Sequence, residues 1–326
     1  MGNTVASMFS VGCNCARCHV HHSFTGRKGR IVKRCQFAKM ARSARRRPHQ
    51  NWQRMTSTRG ILRPRAAFEH FRLDRADPPE DLAGIVERLW TVAWELPDGQ
   101  PFQQEVLPFP NVNLAFEEGV LNVHGPTRGR FVTTLTGSGW VAGARFRPAG
   151  FFAIARRPMR DVVEHVLSAG DATGISAPPF PAEAKTARTA LLDYIRECLR
   201  EAKLSAGELR EIERVNEWVE HTGNERDIRQ AADLAELAGV SVRTLHRTLE
   251  KYVGLGSKWI VRRARVQQCA ELVAQGQSVD WTRTAQTLGY HDQAHLIRDF
   301  KLQIGLTPEA YAEQCRQAPS PPAGRR

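Results

Sequence analysis

Two short stretches of this sequence crowd together side chains capable of chemistry. The first, CNCARCHVHH, holds Cys13, Cys15, Cys18, His19, His21 and His22, thiols and imidazoles of the kind that ligate zinc. The second, LGYHDQAHLIRDF at 288–300, sets Gln293, two histidines and Arg298 after a glycine. In the first, the spacing C-x-C-x2-C-H matches none of the common closed zinc sites, and no second ligand knuckle follows. Adventitious binding or no role is the expectation there. The alternative is a metal- or thiol-dependent sensor or repair protein built on this knot. In the second, His291 precedes the helix and His295 sits beside the apolar phase of Leu296, and neither has a third ligand. Gln and Arg are instead the side chains whose paired hydrogen-bonding groups fit adenine and guanine edges in the DNA major groove.

The elements that must position these groups form an internal repeat. AELAGVSVRTLHRTLEKYVGLGSKWI (235–260) aligns with AQTLGYHDQAHLIRDFKLQIGLTPEAY (285–311). Ala235 matches Ala285 and Gly239 matches Gly289, both 50 apart; Leu245, Arg247, Leu249 and Gly254 match Leu296, Arg298, Phe300 and Gly305, all 51 apart. Each copy reads as helix, glycine turn, helix. In the first, Ile228, Ala231, Ala232 and Ala235 give a small apolar face, Gly239 turns the chain, and Ser241 caps the next helix. Leu245 and Leu249 then point inward, leaving Arg243, His246, Arg247 and Glu250 on the other face. In the second, Gly289 turns, Asp292 caps, and Leu296 and Phe300 point inward. Gln293, Ala294, Ile297, Arg298 and Lys301 are left outside, with Ala294 suited to a thymine methyl.

Between the copies, SKWIVRRARVQQCAELVAQ (257–275) is predicted to be a helix of roughly 28 Å, close to the ~34 Å of one DNA turn. Two recognition helices on one chain would then meet successive major-groove segments. The candidate phosphate contacts are Ser241, Lys251, Arg262 and Lys301, with Arg263 and Arg265 as further choices between phosphate and salt bridge.

Charge has to be located before it is interpreted. The net +13 sits entirely in residues 1–60, which hold 13 Lys/Arg and no Asp or Glu; the rest sums to zero. Across 241–301, however, ten Lys/Arg face five Asp/Glu, so the repeat is locally basic. Segment 1–60 lacks apolar periodicity and reads as a disordered leader. Met55 is a candidate true start, and an organelle transit peptide is a weaker reading of the leader. Seven cysteines, four of them within the first 35 residues, give no even disulfide framework and point to a reducing cytoplasm. No apolar run reaches the ~20 residues that span a bilayer, and no secretory signal is visible.

The predicted fold class is a multidomain α+β chain, an antiparallel β barrel or sandwich followed by an all-α tandem helix-turn-helix. Residues 61–168 form the β-rich, sensor-like domain, with strand patterns at 89–96, 103–109, 112–125, 130–137 and 140–148 and a hairpin at Gly119. Trp90, Trp94, Phe116, Trp140 and Phe146 line a pocket or fill its core. His70, His124 and His165 are too dispersed for a metal-dependent barrel enzyme, and no P-loop or nucleophile motif appears, so enzymatic chemistry and a cofactor are not expected. Residues 169–184 read as a linker and 185–222 as connecting helices with one apolar face, for packing within the chain or for a homodimer. Residues 223–315 hold the repeat, and 316–326 a disordered tail.

GVSVRTLHR, GYHDQAHLIRDF and the GLTPEAY ending strongly resemble the AraC-type transcriptional regulators over residues 223–315. The upstream stretch from PPEDLAGIVERLW to WVAGARFRPAGFFAI resembles a cupin-like domain of unknown function often fused to that DNA-binding domain. The resemblance implies a cytoplasmic one-component regulator of double-stranded DNA whose β-rich domain senses a small molecule or mediates dimerisation. It assigns base reading to Arg243, His246 and Arg247 in the first copy and to Gln293, Ala294 and Arg298 in the second. Ser257 departs from the family's usual proline, which Pro308 keeps, and Leu296 stands where phenylalanine is common.

Overall fold

The computed structural model describes residues 60–179, 181, 183–224, 228–275 and 279–317. The Cys/His knot, Met55 and the end of the C-terminal tail lie outside these residues. A helix α1 (Pro64–His70) leads into strands β1 (Phe71–Ala76), β2 (Val86–Glu95), β3 (Phe102–Val106), β4 (Asn113–Glu117), β5 (Val120–His124), β6 (Phe131–Leu135), β7 (Ser138–Phe146) and β8 (Val166–Ser168). Six of them form one antiparallel sheet in the order β1-β2-β7-β4-β5-β8, and β3 pairs with β6 in a separate ribbon. Leu114, Phe116, Leu121, Val123, Ala142, Ala144 and Phe146 are all buried. Cross-strand register puts them on one face of the sheet. The ribbon packs on the opposite face, where Phe102 and Leu135 meet Phe71, Val92 and Trp94.

Local chemistry explains these elements. The β4–β5 hairpin closes through Glu118 and Gly119, both at positive φ (49° and 85°), the backbone of a tight two-residue turn whose twist suits paired strands. Trp90 lies opposite Gly143 and Trp94 opposite Gly139 on β7. A Cβ at either glycine would fall 2.5–2.6 Å from the facing indole, so the tryptophans lie on bare backbone. Of the five aromatics, Phe116 and Phe146 are core, whereas Trp90, Trp94 and Trp140 are half-buried.

The stretch at 169–184, expected to be a linker, opens instead with helix α2 (Ala169–Thr173). Ser168 caps it by accepting from the Asp171 N–H, and Ala169 and Ala172 are buried in the core. Helices α3 (Ala184–Ala202) and α4 (Ala206–Asn224) follow. Their apolar faces, Ala187, Leu191, Ile195 and then Ile212, Val215, Val219, join the sheet's core. Asn216 on α4 is fully buried and doubly satisfied, accepting from Ala149 N–H (2.7 Å) and donating to the Gly84 carbonyl (3.2 Å). Arg147 at the end of β7 grips Glu220 on α4 through two hydrogen bonds, 2.7 and 2.6 Å. The remaining helices are α5 (Ala231–Leu237), α6 (Val242–Tyr252), α7 (Ser257–Ala274), α8 (Trp281–Thr287), α9 (Gln293–Ile304) and α10 (Pro308–Gln317). An antiparallel β-sheet region is thus followed by an all-helical one. Among the described residues no helix is long and apolar enough to cross a membrane.

Candidate nucleic-acid interface

The repeat folds as two copies of helix, turn, helix, α5–α6 and α8–α9, joined by α7. Each second helix starts at the cap expected from sequence. Ser241 Oγ accepts from Thr244 N–H at 3.1 Å, and an Asp292 carboxylate oxygen accepts from His295 N–H at 2.7 Å. That backbone N–H and the neighbouring His291 hold the Asp292 carboxyl below the usual carboxylate range. The turns before them, Gly239 (φ 65°) and Gly289 (φ 72°), take the left-handed conformation that only glycine enters cheaply.

Leu245 and Leu249 on α6, and Leu296 and Phe300 on α9, are fully buried. The opposite faces are consequently turned outward. On α6, Arg243, His246 and Arg247 are all exposed. Neither Arg243 nor Arg247 makes a hydrogen bond or ion pair with the described residues, so both guanidiniums are free to meet a ligand. His246 is more committed: its ring lies against Gly256, and Nε2 stands 3.3 Å from Glu250 Oε1. On α9, Ala294 and Arg298 are exposed and Gln293 is half-buried, with Thr282 Oγ1 at 3.4 Å from its Oε1. The structure therefore gathers the first trio on one helix face and the second trio on another.

The candidate phosphate contacts divide. Ser241 and Lys301 are exposed, the former at the N-terminus of α6. Lys251 is partly engaged: its ammonium reaches Tyr252 Oη (3.3 Å) and lies over the rings of Phe152 and Tyr252. Arg262 is not a free phosphate contact. It holds Asp299 on α9 through Nε (3.0 Å) and Nη2 (2.5 Å), and this bonding raises its pKa. Asp299 is 4% exposed; it lies three residues after Leu296 on the inward face of α9, and only the packing of α7 supplies the arginine that pairs with it.

Arg263 and Arg265 are not phosphate contacts either. Arg263 is 1% exposed, and its Nη2 donates to the carbonyls of Thr127, Arg128 and Gly129 at 3.1, 2.6 and 3.1 Å. Burial pushes its pKa down to about 10. Arg265 lies over the Tyr290 ring at 3.6 Å and donates to the Arg229 carbonyl. The helix that carries them is packed on several sides, against α4, α9, α10 and the 127–129 loop.

Further docking residues were beyond sequence reasoning. Arg130 donates to the Ile304 carbonyl (2.7 Å) at the C-terminus of α9, and Gly305 sits against that guanidinium. Its repeat equivalent Gly254 sits against the Met159 carbonyl. Both second helices thus meet the β-rich region with their C-terminal ends and leave their N-terminal halves outside. Among the described residues no group of three His, Cys, Asp or Glu is placed to hold a metal.

Residues 234–314 match the family model described as a helix-turn-helix domain. The chain carries an AraC-type helix-turn-helix domain. Residues 74–168 match a domain of unknown function, DUF6597, which spans most of the six-stranded sheet. No curated protein matches the chain. Among solved structures, the C-terminal domain of AraT, a response regulator from Geobacillus stearothermophilus, is 20% identical, with 38% of this chain and 96% of that one covered at a TM-score of 0.29. ToxT from Vibrio cholerae is 10% identical, with 75% and 98% covered at a TM-score of 0.34. Neither superposition is close. The helix-turn-helix domain supports a DNA-binding transcription regulator.

Proposed function

We propose that the regulator reads a specific operator by laying α6 and α9 into successive major-groove segments on one face of the duplex. The observation that carries this is the paired outward faces: Arg243, His246 and Arg247 on one helix and Gln293, Ala294 and Arg298 on the other, each backed by two fully buried apolar side chains. Arginine and glutamine give the bidentate base contacts, with Ser241 and Lys301 on phosphates. The connecting α7, 18 residues and so about 27 Å long, approaches the ~34 Å of one DNA turn.

The remaining division of labour follows from the same plan. Residues 61–168 act as the sensor half, 185–222 as the connection, and 223–315 as the reading half, working in the cytoplasm. A small molecule or protein partner at the sensor half, or a second copy of the chain, controls DNA binding through the contacts that α6, α7 and α9 make with the β-rich region. Genome-wide occupancy mapping of the native protein tests the reading. A shared operator motif with two recognition blocks under the occupied peaks is expected; occupancy without a common motif would contradict it.

A further inference from the structure

The two outward-facing helices belong to different cores. Leu245 and Leu249 of α6 pack with Ile260 and Val261 of α7 and with Met159 and Val163 of the β-rich region. Leu296 and Phe300 of α9 pack instead with Val266 and Cys269 of α7 and with Leu62 and Leu107. The division falls within α7 between Val261 and Val266, the stretch that holds Arg262, Arg263 and Arg265. Apolar packing therefore fixes each helix on its own support, and the relation between the two supports falls to α7 itself and to polar contacts.

Those contacts form a continuous strap along the β-rich region. Segment 159–165 meets the end of α6, where Gly254 sits against the Met159 carbonyl and the Val163 side chain. The same segment is bonded to the loop 125–130. Gly125 N–H donates to the His165 carbonyl and Glu164 N–H to the Pro126 carbonyl, both at 3.0 Å, and the Glu164 carboxylate accepts from the Arg128 N–H. A Cβ at Gly125 would fall 1.7 Å from the Val162 carbonyl oxygen, so the two segments touch backbone to backbone. Glu164 keeps this arrangement at φ 64°, a left-handed backbone that a glutamate enters only under constraint. The loop then reaches the other two helices. Its carbonyls at 127–129 accept from Arg263 in the middle of α7. At its end, Arg130 donates to the Ile304 carbonyl of α9 (2.7 Å) and stands 3.5 Å from Glu105. One run of contacts thus links the end of α6, the middle of α7 and the end of α9, across the division between the cores.

We propose that Arg130, Glu164 and Arg263 are positioning residues for DNA reading: their strap holds α6 and α9 at one separation, so the β-rich region sets which spacing of the two base blocks the chain accepts. Moving one block by a single base pair displaces it by about 3.4 Å and turns it by about 35° around the duplex. Two helices held rigidly cannot follow that movement, whereas two helices joined by α7 alone can follow part of it. The inference rests on the two-helix reading proposed above, and its experiment separates the two.

Sites selected by the native full chain from a pool of random duplex DNA supply the probes. Binding is then titrated on the selected two-block duplex, on a duplex with one block alone, and on duplexes with the blocks one or two base pairs further apart. The native chain is expected to bind about tenfold or more weakly when one base pair is inserted. Two variants loosen the strap at exposed positions. Arg130→Met removes the donor to Ile304 and leaves Glu105 its Arg63 partner (2.6 Å). Glu164→Asn suits the left-handed backbone and falls a methylene short of the Arg128 N–H. Each is expected to cut the insertion penalty to about threefold or less, with single-block affinity within about twofold of native. Variants that keep the native penalty would overturn the proposal. So would a loss on the single block as large as that on the two-block duplex, which would mean support of the fold rather than of spacing. A native chain that selects two blocks but accepts any spacing overturns the strap's role and leaves the two-helix reading intact, whereas a chain that selects no blocks overturns both.

Discussion

Arg262 of the connecting helix grips Asp299 of the second recognition helix through two hydrogen bonds, 3.0 and 2.5 Å long. The carboxylate is buried and the guanidinium is partly exposed, so the two partners are not equivalent. Removing Arg262 strands a buried anion, whereas removing Asp299 lets the arginine turn to water. Arg262→Ala is therefore expected to lower stability by about 2–3 kcal/mol, against about 1–2 kcal/mol for Asp299→Ala, in urea unfolding. An equal effect of the two, or none, would show that the pair does not hold α9 in place.

Arg298→Ala is expected to weaken binding to the specific operator by about 1–3 kcal/mol and to relax preference at one or two base pairs. Arg247→Ala, its equivalent in the first copy, should do the same at a different position. His246→Ala should have a smaller effect, because its ring is already placed against Gly256 and Glu250. Titrations on operator and random duplex separate the cases, since a phosphate contact would lose equally on both.

Leu245→Asp and Phe300→Asp place a carboxylate at fully buried positions of the two copies. Each is expected to unfold its helix-turn-helix, with loss of several kcal/mol by the unpaired-charge penalty. Circular dichroism with the helical signal fully retained would refute the inward phase of these residues.

Gly254 and Gly239 separate docking from backbone conformation. Both have positive φ, 80° and 65°, but only Gly254 faces another part of the chain. A Cβ at Gly254 would fall 2.6 Å from the Met159 carbonyl oxygen, whereas one at Gly239 would meet open space. Gly239→Ala should cost about 1 kcal/mol for the left-handed backbone alone. Gly254→Ala should cost about 1–3 kcal/mol more, as the β-rich region is pushed away from α6. Equal costs in thermal or urea unfolding would mean that this contact does not contribute.

The repeat was legible in the sequence because it is local. Glycine turns, cap residues and a leucine pair at four-residue spacing recur 50 and 51 positions apart, and each is satisfied within its own copy. Strands β2, β4, β5 and β7 were legible for the same reason, through apolar alternation bounded by turn residues. Strand β1 was hidden because FRLDRA carries three charges, and β8 because three residues give no period. The arginines of α7 could not be sorted from their own neighbourhood. RRAR looks like a solvated face, and only the approach of Asp299, the 127–129 carbonyls and Tyr290 from distant parts of the chain assigns each one. The Trp90–Gly143 and Trp94–Gly139 pairs were likewise invisible, because they depend on register between strands about 50 residues apart.

Hydroxyl-radical footprinting of the full chain on its operator tests the central claim most directly. Two protected patches are expected on one face of the duplex, their centres about one helical turn (~10–10.5 base pairs) apart. The double variant Arg243→Ala/Arg247→Ala should erase one patch and spare the other, and Gln293→Ala/Arg298→Ala should do the reverse. A single patch, or a uniform weakening of both patches by either double variant, would contradict reading by two recognition helices.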